Sequence, residues 1–252
     1  MAAANRLNCA RIVRPAIHVI VSPSPIYGGR DAREVPMYGF AEAAGLLRVP
    51  VSTLRSWTVG QHYRVRGGQR RFKPPIPIAK HQRLLTFYDL VEAYVLSSMR
   101  RDFNVELPVI RTSVDFVRDH MDVQRPLLSQ DFYTDGVSLL VEKWGTLVDA
   151  SRQGQLAMKA VVMDSLKRIE RDAAGLVQRL YPWRVSVDEE RVIELDPRRA
   201  LGRAVVVGTS ISIDVLRSRH RAGDSVKRLA KAYTLDESKV VAVVAWDGQR
   251  AA

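Results

Sequence analysis

The stretch Tyr38-Gly39-Phe40-Ala41-Glu42-Ala43-Ala44-Gly45-Leu46-Leu47-Arg48-Val49-Pro50-Val51-Ser52-Thr53-Leu54-Arg55-Ser56-Trp57 decides how this chain is read. In its first half Phe40, Ala43, Ala44 and Leu47 recur at helical spacing and define one face of a short amphipathic helix. Arg48-Val49-Pro50-Val51-Ser52 then interrupts it. Pro50 disfavours helical backbone at Val49, and Ser52 is expected to cap a second helix over Thr53 to Trp57. Two helices joined by so tight a turn, the second carrying polar groups, form a helix-turn-helix pattern.

Working outward, Gly60 is expected to end the second helix, and Tyr63 to Phe72 alternates around the pair Gly67-Gly68, the signal of a two-residue hairpin turn. Such a hairpin is the wing of a winged helix-turn-helix. Lys73-Pro74-Pro75-Ile76-Pro77 is a stiff connector, and Thr86-Phe87-Tyr88-Asp89 reads as a capping box opening a helix that runs to about Arg101. Trp57, Tyr63 and Phe72 fit a small core beneath the wing better than a platform for stacking single-stranded bases.

Charge points to the partner. The chain of 252 residues carries a net +12, which suits a polyanion. Between Ala43 and Tyr88 lie Arg48, Arg55, Arg64, Arg66, Arg70, Arg71, Lys73, Lys80 and Arg83 without a single Asp or Glu. Residues 102–196 are net −5 and residues 197–252 net +6, so the chain runs basic, acidic, basic. Ser52, Thr53, Arg55 and Ser56 stand at or near the start of the second helix, where side chains reach base edges in a major groove. Arg55 is the strongest base reader of the four, since a guanidinium makes a bidentate contact to guanine; a backbone phosphate is its other use. Arg64, Arg66, Arg70, Arg71 and Lys73 surround the wing, where small glycines permit close approach to the sugar-phosphate backbone.

Other chemistries find little support. The apolar run Val240 to Trp246 is far shorter than the ~20 residues of a membrane span, and Arg14, Pro15 and His18 interrupt the N-terminal apolar stretch, so a cytoplasmic chain is expected. Cys9 is the only cysteine, which excludes an internal disulfide and a thiol-rich zinc site. His18, His62, His81, His120 and His220 share no metal-ligand spacing. Asp115, Asp119 and Asp122 fit a solvated helix face better than a nuclease carboxylate set. No catalytic residue, cofactor site or metal site is expected.

The fold expected from these signals is α+β: an N-terminal winged helix-turn-helix, a small mixed α/β middle region and a C-terminal three-helix domain. Residues 1–36 read as an arm or linker with a strand near Ile17 to Val21, 37–101 as the DNA-binding unit, 102–196 as the middle region and 197–252 as the C-terminal unit. In the middle, Pro108 to Met121 is predicted helical. Asp135-Gly136 predicts a hairpin between strands over Asp131 to Val141, with the sheet continuing through Thr146-Leu147-Val148. Gln155 to Leu166 reads as helix or strand, Lys167 to Leu180 as helix, and Val185 to Leu195 as a strand pair. Helices are expected over Ile213 to Arg221, Ser225 to Ala232 with Asp224 as cap, and Asp236 to Trp246.

The stretch Tyr38 to Trp57 with its basic wing resembles the helix-turn-helix of the mercury-resistance-regulator-like group. Val207-Gly208-Thr209-Ser210-Ile211-Ser212-Ile213-Asp214-Val215-Leu216, continued by Ala222 to Leu235, looks like a small bacterial domain of unassigned function that is frequent in antitoxins, with Ser210 where that domain tends to carry Arg. The pairing of the two is similar to the larger VapB-type antitoxins. The resemblance implies a repressor that binds double-stranded operator DNA of its own operon as a homodimer and neutralises a PIN-domain ribonuclease toxin by direct contact. A stand-alone transcription regulator is the alternative.

Overall fold

The computed structural model describes residues 27–65, 68–79, 82–133, 135–182 and 191–246. The strand expected near Ile17 to Val21 and Arg66, expected on the wing, lie outside them. The architecture is α+β, with a helix-turn-helix near the N-terminus, small two-stranded sheets and a three-helix bundle at the C-terminal end.

Helices α1 (Phe40–Leu47) and α2 (Val51–Thr58) are the pair expected from the opening stretch. The turn between them is tight because Arg48 adopts the left-handed conformation (φ 53°, ψ 45°) and Val49 N–H donates to the Ala44 carbonyl at 3.1 Å. One expectation is corrected: Pro50, not Ser52, occupies the N-cap position of α2, and no side chain caps it. The ring fixes φ near the value a helix start needs, so the helix begins at Val51 and Ser52 sits inside its first turn.

Strands β1 (Gln61–Val65) and β2 (Gly68–Phe72) pair antiparallel with Gln61 opposite Phe72 and Val65 opposite Gly68. Because Val65 pairs with Gly68, Gly68 is a strand residue rather than part of the Gly67-Gly68 turn the sequence suggested. Gly68 belongs to the ladder, at a φ of +147° that L side chains rarely adopt.

Helix α3 (Phe87–Phe103) opens on the expected capping box: Asp89 N–H donates to Thr86 Oγ1 at 3.1 Å, and Thr86 N–H donates to the Asp89 carboxylate at 2.9 Å. Leu90, Val91, Ala93, Val95, Leu96 and Met99 are all fully buried, so apolar residues surround this helix on nearly every side. It is the spine of the fold. Helices α1 and α2 pack on it, as does α6 (Arg152–Leu166), while α4 (Leu107–Met121) and α5 (Gly136–Val148) complete the helical layer.

Two further expectations are overturned here. Asp135-Gly136 does not turn a hairpin but opens α5, and residues 146–148 are its last turn rather than a strand. Gly136 is small for packing: a Cβ there would come within 2.5 Å of the Phe132 ring and 2.9 Å of Met121 Sδ. The segment Lys167 to Leu180 is not a helix but the antiparallel pair β3 (Ile169–Arg171) and β4 (Val177–Leu180). Its turn is held by Asp172, whose carboxylate accepts from Ala174 and Leu176 N–H, each at 3.0 Å. Leu180 bridges to Leu195, next to β5 (Ile193–Glu194), which pairs with β6 (Val205–Val206); the rest of the strand pair expected from Val185 falls on residues 185–190, outside the described ones.

The last three helices stand close to expectation: α7 (Ile213–Arg221), α8 (Val226–Tyr233) and α9 (Glu237–Ala245), around buried Leu216, Leu229, Val240 and Val243. Ser225, rather than Asp224, caps α8 by accepting from Arg228 N–H at 3.2 Å. Asp224 is engaged by the side chains of Arg219 and Arg228 instead. The bundle is tied to the N-terminal unit through Tyr38, whose buried hydroxyl donates to the Gly202 carbonyl at 2.9 Å.

Candidate nucleic-acid interface

Helix α2 splits cleanly between core and solvent. Leu54, Trp57 and Thr58 are buried, whereas Ser52 and Arg55 are exposed and Thr53 and Ser56 half-buried. The expected reading residues therefore share the open side of one helix. Ser56 donates its hydroxyl hydrogen to the Thr53 carbonyl at 2.7 Å, which leaves its oxygen lone pairs for an incoming donor.

Arg55 is held from below. Its guanidinium lies 4.7 Å from the centroid of the Phe40 ring, at the first position of α1. From there it borders a cleft of about 630 Å³ whose lining also includes Lys73, Gln82 and Arg83. The far wall is the proline-rich connector, fixed to the end of α2 by Ile76 N–H donating to the Trp57 carbonyl at 3.0 Å and Ile78 N–H to the Thr58 carbonyl at 3.3 Å. None of the residues lining the cleft is acidic.

The structure thus gathers Arg55 and Lys73 with the open face of α2. Arg64, Arg70 and Arg71 lie on the β1–β2 ladder, where Tyr63 pairs with Arg70 and His62 with Arg71, and their side chains are outside the described ones. Arg83 is absent from the expected site. The acid-free window from Ala43 to Tyr88 contains it, but a residue so far along the chain from α2 carries no local sign of facing it.

Behind α2, two carboxylates share one guanidinium. Arg125 donates to Asp89 and to Glu92, both at 2.7 Å, while Asp89 also accepts from the Gln82 side chain at 3.1 Å. Burial pushes the Glu92 carboxyl up to about 7, with neighbouring Asp89 adding to the rise and Arg125 and Arg118 opposing it. Nothing resembling a metal centre occurs among the described residues. On α4, Asp115 is paired with Arg118, and His120 Nδ1 lies 2.8 Å from the Phe116 carbonyl, so these groups are occupied within their own helix.

A compact helix pair with one face open beside a cationic cleft defines a helix-turn-helix protein of the DNA-binding class. Residues 36–114 match a family model described as "Putative DNA-binding HTH domain", and residues 193–246 match one described as "Protein of unknown function (DUF433)". The "Putative antitoxin VapB45" of Mycobacterium tuberculosis (strain ATCC 25618 / H37Rv) is 31% identical over 218 residues, spanning 79% of this chain and 89% of that one. The chain belongs to the VapB-type antitoxin family, and with it to the DNA-binding regulators of toxin–antitoxin type. The crystal structure of Rv2018 from Mycobacterium tuberculosis shares the fold, with a TM-score of 0.58 and 24% identity, covering 83% of this chain and 97% of that one.

Proposed function

We propose that this chain represses its own operon by binding the operator as a homodimer, and that it neutralises a PIN-domain ribonuclease toxin by direct contact. The observation that carries the DNA half is the open face of α2, where Ser52, Thr53, Arg55 and Ser56 stand beside a cleft that is cationic and free of acids. A helix so presented enters a major groove, with hairpin residues Arg64, Arg66, Arg70 and Arg71 and the connector residue Lys73 gripping the flanking backbone. The DNA-binding unit comprises residues 37–101, followed by a middle region over 102–196 and the C-terminal unit over 197–252.

A dimer suits the modest size of one reading helix, since two half-sites raise affinity through effective concentration. The protein works in the cytoplasm in this reading; among the described residues no helix is long and apolar enough to cross a membrane. The test is co-expression with the ribonuclease encoded beside it. A stable complex that abolishes RNA cleavage and still retards a duplex from its own promoter supports the proposal. Promoter binding without any association with the ribonuclease would identify a stand-alone regulator.

A further inference from the structure

The cleft beside α2 is lined by three cations and no acid. Arg55 comes from α2, Lys73 from the start of the connector and Arg83 from its end, so three separate segments bring a cation to one concavity. Like charges gathered around a concavity repel one another until an anion enters, and low-dielectric walls such as Phe40 and Ile78 concentrate their field. Among the described residues neither Lys73 nor Arg83 meets a carboxylate, in contrast to Arg125, Arg199 and Arg219, each of which is paired.

Each of the three segments is anchored beside the cleft. Phe40 seats Arg55, two backbone hydrogen bonds hold the connector at Ile76 and Ile78, and Gln82, next to Arg83, donates to the capping-box partner Asp89 at 3.1 Å. Such preorganisation lowers the entropy lost on binding. Arg55 also follows Ser52 by three residues, so the cleft continues the open face of α2 and a duplex lying on that face brings its backbone across the opening.

We propose that Arg55, Lys73 and Arg83 together clamp one backbone phosphate of the bound duplex, so that Arg83 is a DNA-binding residue and Arg55 anchors position rather than reading a base. This rests on the proposed DNA binding and adds to it a residue and a division of labour. Ser52, Thr53 and Ser56 are then left to face the base edges.

The test uses the full chain and two fluorescent duplexes, one from its own promoter and one unrelated, titrated by anisotropy across a potassium chloride series. Arg83→Ala weakens binding to both duplexes by about tenfold and lowers the slope of log affinity against log salt by about one; Arg83→Lys restores most of the slope. Arg55→Ala behaves alike on both duplexes. Lys167→Ala, which removes an exposed charge at the end of α6, leaves the slope unchanged. Wild-type binding with an Arg83→Ala slope equal to that of wild type overturns the clamp while leaving DNA binding intact. Failure of the wild type to bind either duplex overturns both readings. If inorganic phosphate at constant ionic strength perturbs wild-type but not Arg83→Ala resonances while DNA binding ignores the substitution, the cleft serves a free anion and the duplex assignment falls.

Discussion

The guanidinium of Arg55 rests 4.7 Å from the centroid of the Phe40 ring, so the second helix of the reading motif is seated on the first residue of the helix before it. The contact serves both packing and orientation. Phe40→Ala is expected to cost about 3 kcal/mol of stability because it opens a buried ring-sized void. Phe40→Leu keeps most of the volume, costs about 1 kcal/mol and removes the ring face that holds Arg55. It should therefore reduce duplex affinity while leaving the urea midpoint close to wild type; unchanged affinity would show that Arg55 needs no seat.

Specificity and grip separate by position. Thr53→Ala is expected to change the ratio of promoter to unrelated-duplex affinity, because it alters the open face of α2. Arg70→Ala on β2 should weaken both duplexes by similar factors and lower the salt dependence. Competition binding at two salt concentrations distinguishes them, and a uniform loss for Thr53→Ala would remove it from base reading.

The Glu92 carboxyl, raised to about 7 by burial, makes stability depend on pH in a defined direction. Its folded value lies above the ordinary carboxylate value of 4.5, so between those limits the folded chain holds the proton more tightly than the unfolded one. That contribution is complete below about pH 4.5 and is lost as pH rises through about 7. Glu92→Gln abolishes this titration, so its stability relative to wild type should improve by on the order of 2 kcal/mol between about pH 5 and pH 8. Urea denaturation across that range measures it; a constant difference would mean that Glu92 keeps one protonation state throughout.

Arg33 is fully buried and bonded to Asp31 at 2.6 Å and Asp172 at 3.0 Å, fastening the segment before α1 to the β3–β4 turn. Arg33→Ala should cost about 3 kcal/mol, since it removes packing and takes from Asp31 the guanidinium that neutralises it, while Asp172 keeps Arg198 at 3.5 Å and its two backbone N–H donors. Arg33→Ala combined with Asp31→Asn should cost less than the sum of the two single changes. Strict additivity would show that the pair does not interact.

The sequence is most legible where a periodic apolar face meets a local terminator. Phe40, Ala43, Ala44 and Leu47 ahead of Pro50, Thr86 with Asp89, and the three closing helices all fall in that class. The middle region is less legible because its signals have two physical meanings. Asp135-Gly136 is a turn dipeptide by composition, yet Gly136 is required by the Phe132 ring and by the sulfur of Met121, which lies on the preceding helix α4. Asp172-Ala173-Ala174-Gly175 did carry a turn signal, but the brevity of the strands beside it and the charges of Arg168 and Glu170 around Ile169 obscured them. For the site, α2 was readable from its own residues, while Arg83 becomes part of it only through the path of the connector.

The hydrogen bond from Tyr38 to the Gly202 carbonyl joins positions 164 residues apart. Gly202 sits so close that a Cβ there would lie 2.8 Å from the same phenol oxygen, leaving no room for a substitute. Since a ribosome makes Tyr38 well before Gly202, the residue that leads into α1 reaches its final setting only after Gly202 has been made. A nascent chain that stops short of Gly202 would thus carry a helix-turn-helix whose entry is not yet anchored.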